Sequence, residues 1–410
     1  MTRFISRRGF SALALVMTLM LGAATDLTSF AQSRRQPPTS NQKKNKRPAE
    51  GAQSSQEGGQ QTEELPPDLV NKPQEAETIT VSTALVNVDA VVYDKNTKQI
   101  ITDLKRENFA IFEDGVKREI TNFATPEAPI TVAMVLEYSK LTDQLSGDYY
   151  EAGRYEVIRP MAMFLTQFVK PPDDYVSVIA YDIRPTPLTD FTNDPGRISQ
   201  VINLLLRNSP AFTETNLFDA LKFTLIGGRG DSVVLDRSES STAEYDGLAK
   251  LQGRRRAIIL VASGLDTFSK INYDQARKIT QNAGVPIYII GTANMFFKKN
   301  EDRMSAVDGP FGSITPGRMS FLQAQNTLRT FAKETGGMYF PVTYQGELPS
   351  VLQTINTLLR SQYSLGFNPG NARDGKQHKI VVKVDVNGDG QYDDKQYEVQ
   401  NRPFYNAPKG

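Results

Sequence analysis

Cysteine and tryptophan are absent from the 410 residues of this chain, and His378 is its only histidine. Without cysteine the chain has no disulfide, thiol nucleophile, iron–sulfur cluster or thiolate zinc site. A single histidine also excludes a metal site built from several histidines, and any Ser/His/Asp triad would have to use that one residue. These absences favour a binding or structural protein, and we expect no enzymatic activity.

Neither sign of charge dominates the composition, because 47 Lys and Arg residues stand against 46 Asp and Glu residues. Proteins that bind nucleic acid depend on a dense basic surface. We therefore expect no nucleic acid among the partners of this chain.

An export signal is predicted at residues 1–31. Arg7 and Arg8 precede an apolar run of about 15 residues, and Ser29 and Ala31 supply the small side chains that a signal peptidase reads. The run is shorter than the ~20 residues that cross a bilayer, so no transmembrane helix is expected in the mature chain. The paired arginines fit either a Sec or a twin-arginine signal, and both predict a periplasmic or extracellular location.

Composition divides the rest of the chain. Residues 32–77 are rich in Gln, Pro, Gly and charge, and this stretch has too few apolar side chains to offset the entropy of ordering, so it is predicted to be a disordered linker. Residues 78–127 form a predicted N-terminal β module, with apolar alternation at 85–93 and a hairpin turn at Asp114-Gly115. Residues 362–410 form a predicted C-terminal β module with three strand patterns.

Between these modules, residues 128–361 alternate buried-strand patterns with helical ones. Continuous apolar runs such as 131–136 and 257–262 are typical of strands that are buried on both faces. The alternation predicts an α/β domain with a doubly wound, mostly parallel sheet. Ligands of such domains bind beyond the C-terminal ends of the strands.

The polar residues that follow these strands resemble the pattern of the von Willebrand factor A (VWA) family. Glu137 and Ser139 follow the first buried strand, Thr215 precedes a helix, and Ser263 and Asp266 follow a later strand. The segments 104–115 and 363–367 are similar to those of a bacterial exported subfamily of VWA-related proteins. The resemblance spans about residues 80 to 408.

The resemblance implies a degenerate metal-ion-dependent adhesion site. In the family, an Asp-x-Ser-x-Ser motif, a Thr and a second Asp hold Mg²⁺ or Mn²⁺, and an acidic residue of the partner completes the shell. Here Glu137 replaces the first Asp, Leu141 replaces the second Ser, and Ser263 replaces the second Asp, although Asp266 is nearby. Hard cations need several oxygens in near-ideal geometry, so we expect the remaining set to bind Mg²⁺ or Mn²⁺ weakly or not at all. The residues implied are Glu137, Ser139, Thr215, Ser263 and Asp266.

A second ion site is predicted near the C-terminus, at residues 385–396. Oxygen-bearing side chains occupy positions 1, 3, 5 and 9 of a Ca²⁺-loop pattern, with Gly390 at position 6 and a backbone carbonyl, that of Gln391, at position 7. Gln396 stands at position 12, where a bidentate Glu belongs. The alternative is a polar hairpin turn that needs no metal. The candidate calcium residues are Asp385, Asn387, Asp389, Gln391 and Asp393.

The sequence therefore predicts an exported, non-catalytic VWA-type protein that binds protein partners at the C-terminal edge of its sheet. No cofactor is certain, and weak Mg²⁺, Mn²⁺ or Ca²⁺ binding is the only cofactor expectation. One alternative is a structural scaffold of the cell envelope with a vestigial VWA face. Another, which the composition disfavours, is a hydrolase with an unrecognised site.

Overall fold

A computed structural model describes residues 85–140, 152–231, 242–251, 255–308, 316–370 and 373–409. The predicted export signal and linker lie outside these residues. The helices are Ala152–Phe168 (α1), Pro195–Arg207 (α2), Leu217–Ile226 (α3), Tyr273–Ala283 (α4), Ala293–Asn300 (α5), Arg318–Thr335 (α6) and Leu348–Arg360 (α7). The strands are Val86–Asp94 (β1), Ile100–Ile101 (β2), Phe109–Glu113 (β3), Val116–Arg118 (β4), Ile120–Ala124 (β5), Ile130–Glu137 (β6), Tyr175–Tyr181 (β7), Pro185–Thr192 (β8), Gly228–Asp231 (β9), Thr242–Tyr245 (β10), Arg255–Ala262 (β11), Ile287–Gly291 (β12), Tyr339–Pro341 (β13), Tyr363–Phe367 (β14), Gln377–Val384 (β15), Tyr397–Asn401 (β16) and Phe404–Asn406 (β17).

A six-stranded sheet in the order β13-β12-β11-β6-β7-β8 forms the centre of the α/β part. Five of its strands are parallel, while β8 pairs antiparallel with β7 at one edge. The sheet is therefore only partly parallel. The antiparallel edge follows from the short connection between β7 and β8, because a parallel crossover needs a dozen or more residues.

Both faces of this sheet are covered by helices, as the apolar runs predicted. Along β6, Val132 and Met134 pack in one buried cluster with side chains of α1, α2 and α7. Ala133 and Val135 point to the opposite face and pack with α3, α4 and α6. Because successive side chains of a strand alternate between faces, a strand buried on both sides must be apolar throughout.

The two β segments combine in a second body, which the sequence did not predict. β1 pairs with β14 and β16, and β3 pairs with β15, so each segment contributes strands to both small sheets. The expectation of two separate sheets at the two ends of the chain is therefore wrong. The shared core includes Val88, Ile111, Leu365 and Val382. Fifty residues bury too little surface to hold a separate sheet, and pairing the segments gives them a common core.

Two polar stretches of the α/β part, residues 227–253 and 294–317, have the composition of surface loops, but their described parts contain regular structure. β9 and β10 pair antiparallel within the first stretch. α5 lies in the second stretch, where Phe296 and Phe297 pack against Phe321 of α6. The polar composition of the whole stretch predicts a loop, whereas these two adjacent aromatic residues give it an apolar group that packs on α6.

Candidate functional site

Glu137 is the last residue of β6 and lies at the C-terminal edge of the sheet beside Ser263, which follows β11. The strands are parallel neighbours, with Leu136 opposite Val261, so their ends meet. The Ser263 backbone N–H donates to Glu137 Oε2 at 2.6 Å, and the Ser263 hydroxyl donates to Oε1 at 3.0 Å. Both residues are buried, so these hydrogen bonds join the ends of β6 and β11 away from solvent.

Burial raises the pKa of the Glu137 carboxyl, and hydrogen bonds from Ser263 oppose this rise. Ser139 Oγ and Tyr181 Oη each lie 3.4 Å from a carboxylate oxygen of Glu137. Burial and the nearby Glu137 charge raise the pKa of Tyr181 well above its ordinary value. The carboxyl group of Glu137 is therefore surrounded by hydroxyl donors and one backbone N–H donor.

Thr215, which immediately precedes the N-cap of α3, is fully buried and bound to the loop after β11. Its hydroxyl donates to the Leu265 carbonyl at 2.7 Å, and its backbone N–H donates to Thr267 Oγ1 at 2.9 Å. The backbone N–H groups of Thr267 and Phe268 both donate to the Thr215 carbonyl at 2.9 Å. These bonds hold Thr215 at the same edge as Glu137 and Ser263.

Asp266 is held by other partners. Ser269 Oγ donates to Asp266 Oδ1 at 2.5 Å, and the Phe218 N–H at the start of α3 donates to the same oxygen at 3.3 Å. Burial raises the pKa of this carboxyl. The contacts of Asp266 thus join the loop after β11 to α3.

The oxygens gathered at this edge do not fit a Mg²⁺ or Mn²⁺ site. One buried carboxylate is present, both of its oxygens accept hydrogen bonds from Ser263, and the Thr215 hydroxyl already donates to a carbonyl. In the described residues, no three or more Asp, Glu or His side chains are gathered where they could hold a metal. A hard cation would have to displace these bonds and keep most of its waters, so weak or absent binding stays our prediction.

Beside these residues lies a cleft of about 540 Å³ that the sequence did not reveal. It is lined by the segment before α3, the loop after β11 and one side of α6. Three carboxylates lie in its walls, and no Lys or Arg side chain is among the described residues that line it. The charged lining residues are Glu214, Asp266 and Asp308.

The predicted calcium loop joins β15 to β16 and is ordered by its own side chains. Asp385 is almost fully buried and accepts hydrogen bonds from the N–H groups of Gly388, Asp389 and Gly390. Gly388 and Gly390 have positive φ angles, which favour glycine. Asp393 Oδ2 accepts from Val386 N at 2.8 Å. This arrangement satisfies the loop as a turn, and calcium binding stays a prediction.

Calcium binding predicts a higher melting temperature in millimolar Ca²⁺ than in a chelator. A ligand present at about ten times its Kd adds about 1.4 kcal/mol to the free energy of unfolding, which shifts the melting temperature of a domain of this size by about 2 °C. Differential scanning calorimetry of the protein and of Asp389→Asn measures this. Identical melts of the wild type in Ca²⁺ and in chelator would contradict the prediction.

His378 lies in β15 and is buried, although its place beside Lys379 at the start of a strand pattern predicts a solvated side chain. Its Nδ1 is 2.7 Å from Asp114 Oδ2, its Nε2 is 3.0 Å from Asp374 Oδ1, and its ring stacks on Tyr405. The alternation of exposed and buried residues along β15 accounts for this burial, because His378 lies on the same face as the buried Ile380. The hydrogen bond to Asp374 raises the pKa of His378, and Asp114 adds to this against the effect of burial.

We expect His378 to stabilise the fold mainly below neutral pH. Because the folded pKa is raised above the unfolded value of about 6.5, the contribution is fully present below that pH and is lost as pH rises through the folded pKa. His378→Gln should therefore cost more stability at pH 6 than at pH 9. Urea unfolding at both pH values measures this, and NMR titration of the sole imidazole gives its pKa directly. A titration midpoint at or below about 6.5 would contradict the account.

No protein-family model matches the chain, and no curated protein matches it. Solved structures resemble it at low identity. Proximal thread matrix protein 1 from the mussel byssus is 12% identical over 64% of this chain and 51% of its own, with a TM-score of 0.36. The PilB minor pilin from Streptococcus sanguinis is 11% identical over 57% and 62%, with a TM-score of 0.37. The vWF domain of the type V pili tip protein Mfa5 from Porphyromonas gingivalis is 14% identical over 56% and 94%, with a TM-score of 0.35.

The chain thus spans about half of the mussel protein and about three fifths of the pilin. One structure of the mussel protein has a zinc-occupied MIDAS motif. Within the described part of the present chain, no helix is both long and apolar enough to cross a membrane.

Proposed function

We propose that this chain is an exported, non-catalytic VWA-type protein that binds other proteins at the C-terminal edge of its six-stranded sheet. The observation that carries the proposal is the Glu137–Ser263 pair. The carboxylate that would be central to a metal-ion-dependent adhesion site is bound by a backbone N–H and a hydroxyl. Because its carboxyl group is already engaged in this way, the edge binds partners without a resident divalent cation.

The surface of this edge is suited to protein contact. Phe212 is 43% exposed, and its carbonyl accepts a hydrogen bond from the N–H of Lys140, which follows β6. Phe268 is 56% exposed in the loop bound to Thr215. Exposed aromatic side chains are enriched at the centres of protein interfaces, where they supply much of the binding energy.

The absence of catalysis is part of the proposal and is supported by the environment of the single histidine. Both ring nitrogens of His378 are engaged by Asp114 and Asp374, and His378 belongs to a different sheet from the strand that ends at Glu137. A general base needs a nitrogen within reach of a substrate proton. Turnover of peptide, ester or polysaccharide substrates by the purified protein would contradict this part.

Capture of partners from envelope extract tests the proposed face. The full chain is compared with a Phe212→Ser/Phe268→Ser variant, and with a Val116→Ser/Met163→Ser control that removes two equally exposed apolar side chains on β4 and α1. We expect the first variant, but not the control, to lose the captured proteins. Capture that survives in the first variant and is lost in the control would favour the envelope-scaffold alternative, in which other surfaces make the contacts.

A further inference from the structure

The cleft beside Glu137 carries one sign of charge. Glu214 and Asp308 are exposed in its walls, and Asp266, which also lines the cleft, is half-buried. The Gly317 N–H and the Ser320 hydroxyl each donate to Asp308 Oδ1 at 2.6 Å, and among the described residues no donor occupies Oδ2. The Ser320 hydrogen bond lowers the pKa of Asp308, so this carboxylate is ionised at neutral pH.

Several exposed apolar side chains are next in the chain to residues that line the same cleft. The five large ones are 43–68% exposed. Single exposed apolar residues are ordinary on a protein surface, whereas several of them adjacent in the chain to the lining residues of one cleft are available for contact with a partner bound there. The five residues are Phe212, Phe268, Val307, Met319 and Leu322.

We propose that the acidic cleft receives a Lys or Arg side chain from an extended segment of a partner protein, whose neighbouring apolar residues contact the rim. This deepens the proposed function and rests on it. The volume lies within the ~300–1,000 Å³ of sites that enclose a ligand group. A cationic side chain complements the exposed carboxylates of Glu214 and Asp308, with no Lys or Arg among the described residues that line the cleft, whereas an acidic side chain would meet like charges.

The direct test uses three fluorescein-labelled hexapeptides of sequence Ser-Leu-X-Phe-Ser-Gly, in which X is arginine, its neutral isostere citrulline, or glutamate. Fluorescence anisotropy with the full chain should show binding of the arginine peptide about tenfold or more tighter than the citrulline peptide, and none of the glutamate peptide. The preference should shrink as salt is raised. Equal affinity for arginine and citrulline, or no binding of the arginine peptide, would overturn the proposal.

Matched variants locate the binding. Glu214→Gln/Asp308→Asn keeps the shape of the cleft and removes two charges, and it should lose the arginine preference. The control Glu119→Gln/Glu398→Gln removes two exposed charges from the β body and should keep it. An equal loss in both variants would show general electrostatic attraction and would overturn the cleft assignment.

The envelope capture separates this proposal from the proposed function. If the Phe212→Ser/Phe268→Ser variant loses its partners while Glu214→Gln/Asp308→Asn keeps them, the edge binds protein but the cleft does not receive a basic side chain. If the wild type captures nothing, the proposed function fails. We expect both variants to lose the same captured proteins.

Discussion

Arg255→Met is expected to lower the free energy of unfolding by about 4 kcal/mol, roughly 1 kcal/mol for each backbone carbonyl left without its donor. Arg255 is the first residue of β11, and its guanidinium is buried. It donates five hydrogen bonds at 2.6–3.0 Å, and all of them end on backbone carbonyls. The acceptors belong to Pro126, Ala128, Leu359 and Gln362.

These carbonyls lie where the chain passes between the β body and the α/β part. Pro126 and Ala128 belong to the connection from β5 to β6, and Gln362 belongs to the connection from α7 to β14. The Arg255 side chain therefore binds both of these connections to β11 of the central sheet. We expect the wild type to unfold in a single transition, because the two cores share this clamp.

Urea unfolding followed by circular dichroism measures the effect. The control is Arg106→Met, because Arg106 is half-exposed and its ion pair with Glu119 spans 3.7 Å. Exposed pairs of this kind contribute about 0–1 kcal/mol, so the control should change little. A similar small change in both variants would show that the carbonyl contacts of Arg255 do not stabilise the fold.

Glu137→Ala is expected to cost about 3 kcal/mol, whereas Glu137→Gln should cost about 1 kcal/mol or less at neutral pH. Alanine leaves the buried Ser263 N–H without its acceptor and opens a cavity. Glutamine keeps a carbonyl oxygen for that N–H, and its amide group can donate to the Ser263 hydroxyl. If the role of Glu137 were to coordinate a metal, Glu137→Ala and Glu137→Gln would both abolish metal binding.

The pH dependence of Glu137→Gln has a definite sign. Burial raises the folded pKa of Glu137 above the unfolded value of about 4.3, so the unfolded chain releases this proton first as pH rises. As pH rises from about 4.3 to the folded pKa, the wild type therefore loses the stability that the protonated Glu137 contributes, and the glutamine variant does not. The cost of Glu137→Gln should be smaller at pH 8 than at pH 4.5. Urea unfolding at both values measures it, and a larger cost at pH 8 would show a carboxylate stabilised in its charged form.

The sequence predicted the elements whose patterns are local. The apolar runs that became β6 and β11 located a two-faced sheet, and the polar residues after them located the edge where Glu137 and Ser263 meet. This inference follows from parallel strands, because their C-terminal ends lie at the same edge of the sheet.

Features that depend on distant pairing were missed. β1 and β14 are separated by more than 260 residues, and nothing in the sequence of either strand indicates that the two pair. Asp114 reaches His378 only because β15 pairs with β3. Arg255 is one of three consecutive arginines, and the burial of its side chain depends on carbonyls that come together only in the folded chain.

Partner capture in EDTA tests the central claim most directly, namely that this edge binds protein without a divalent cation. Envelope extract is passed over the immobilised full chain in Mg²⁺ and in EDTA, with the Phe212→Ser/Phe268→Ser variant alongside. The account predicts the same captured proteins in both buffers and their loss in the variant. Proteins captured in Mg²⁺ but released by EDTA would contradict it, and they would assign a metal-dependent role to Glu137, Ser139 and Thr215.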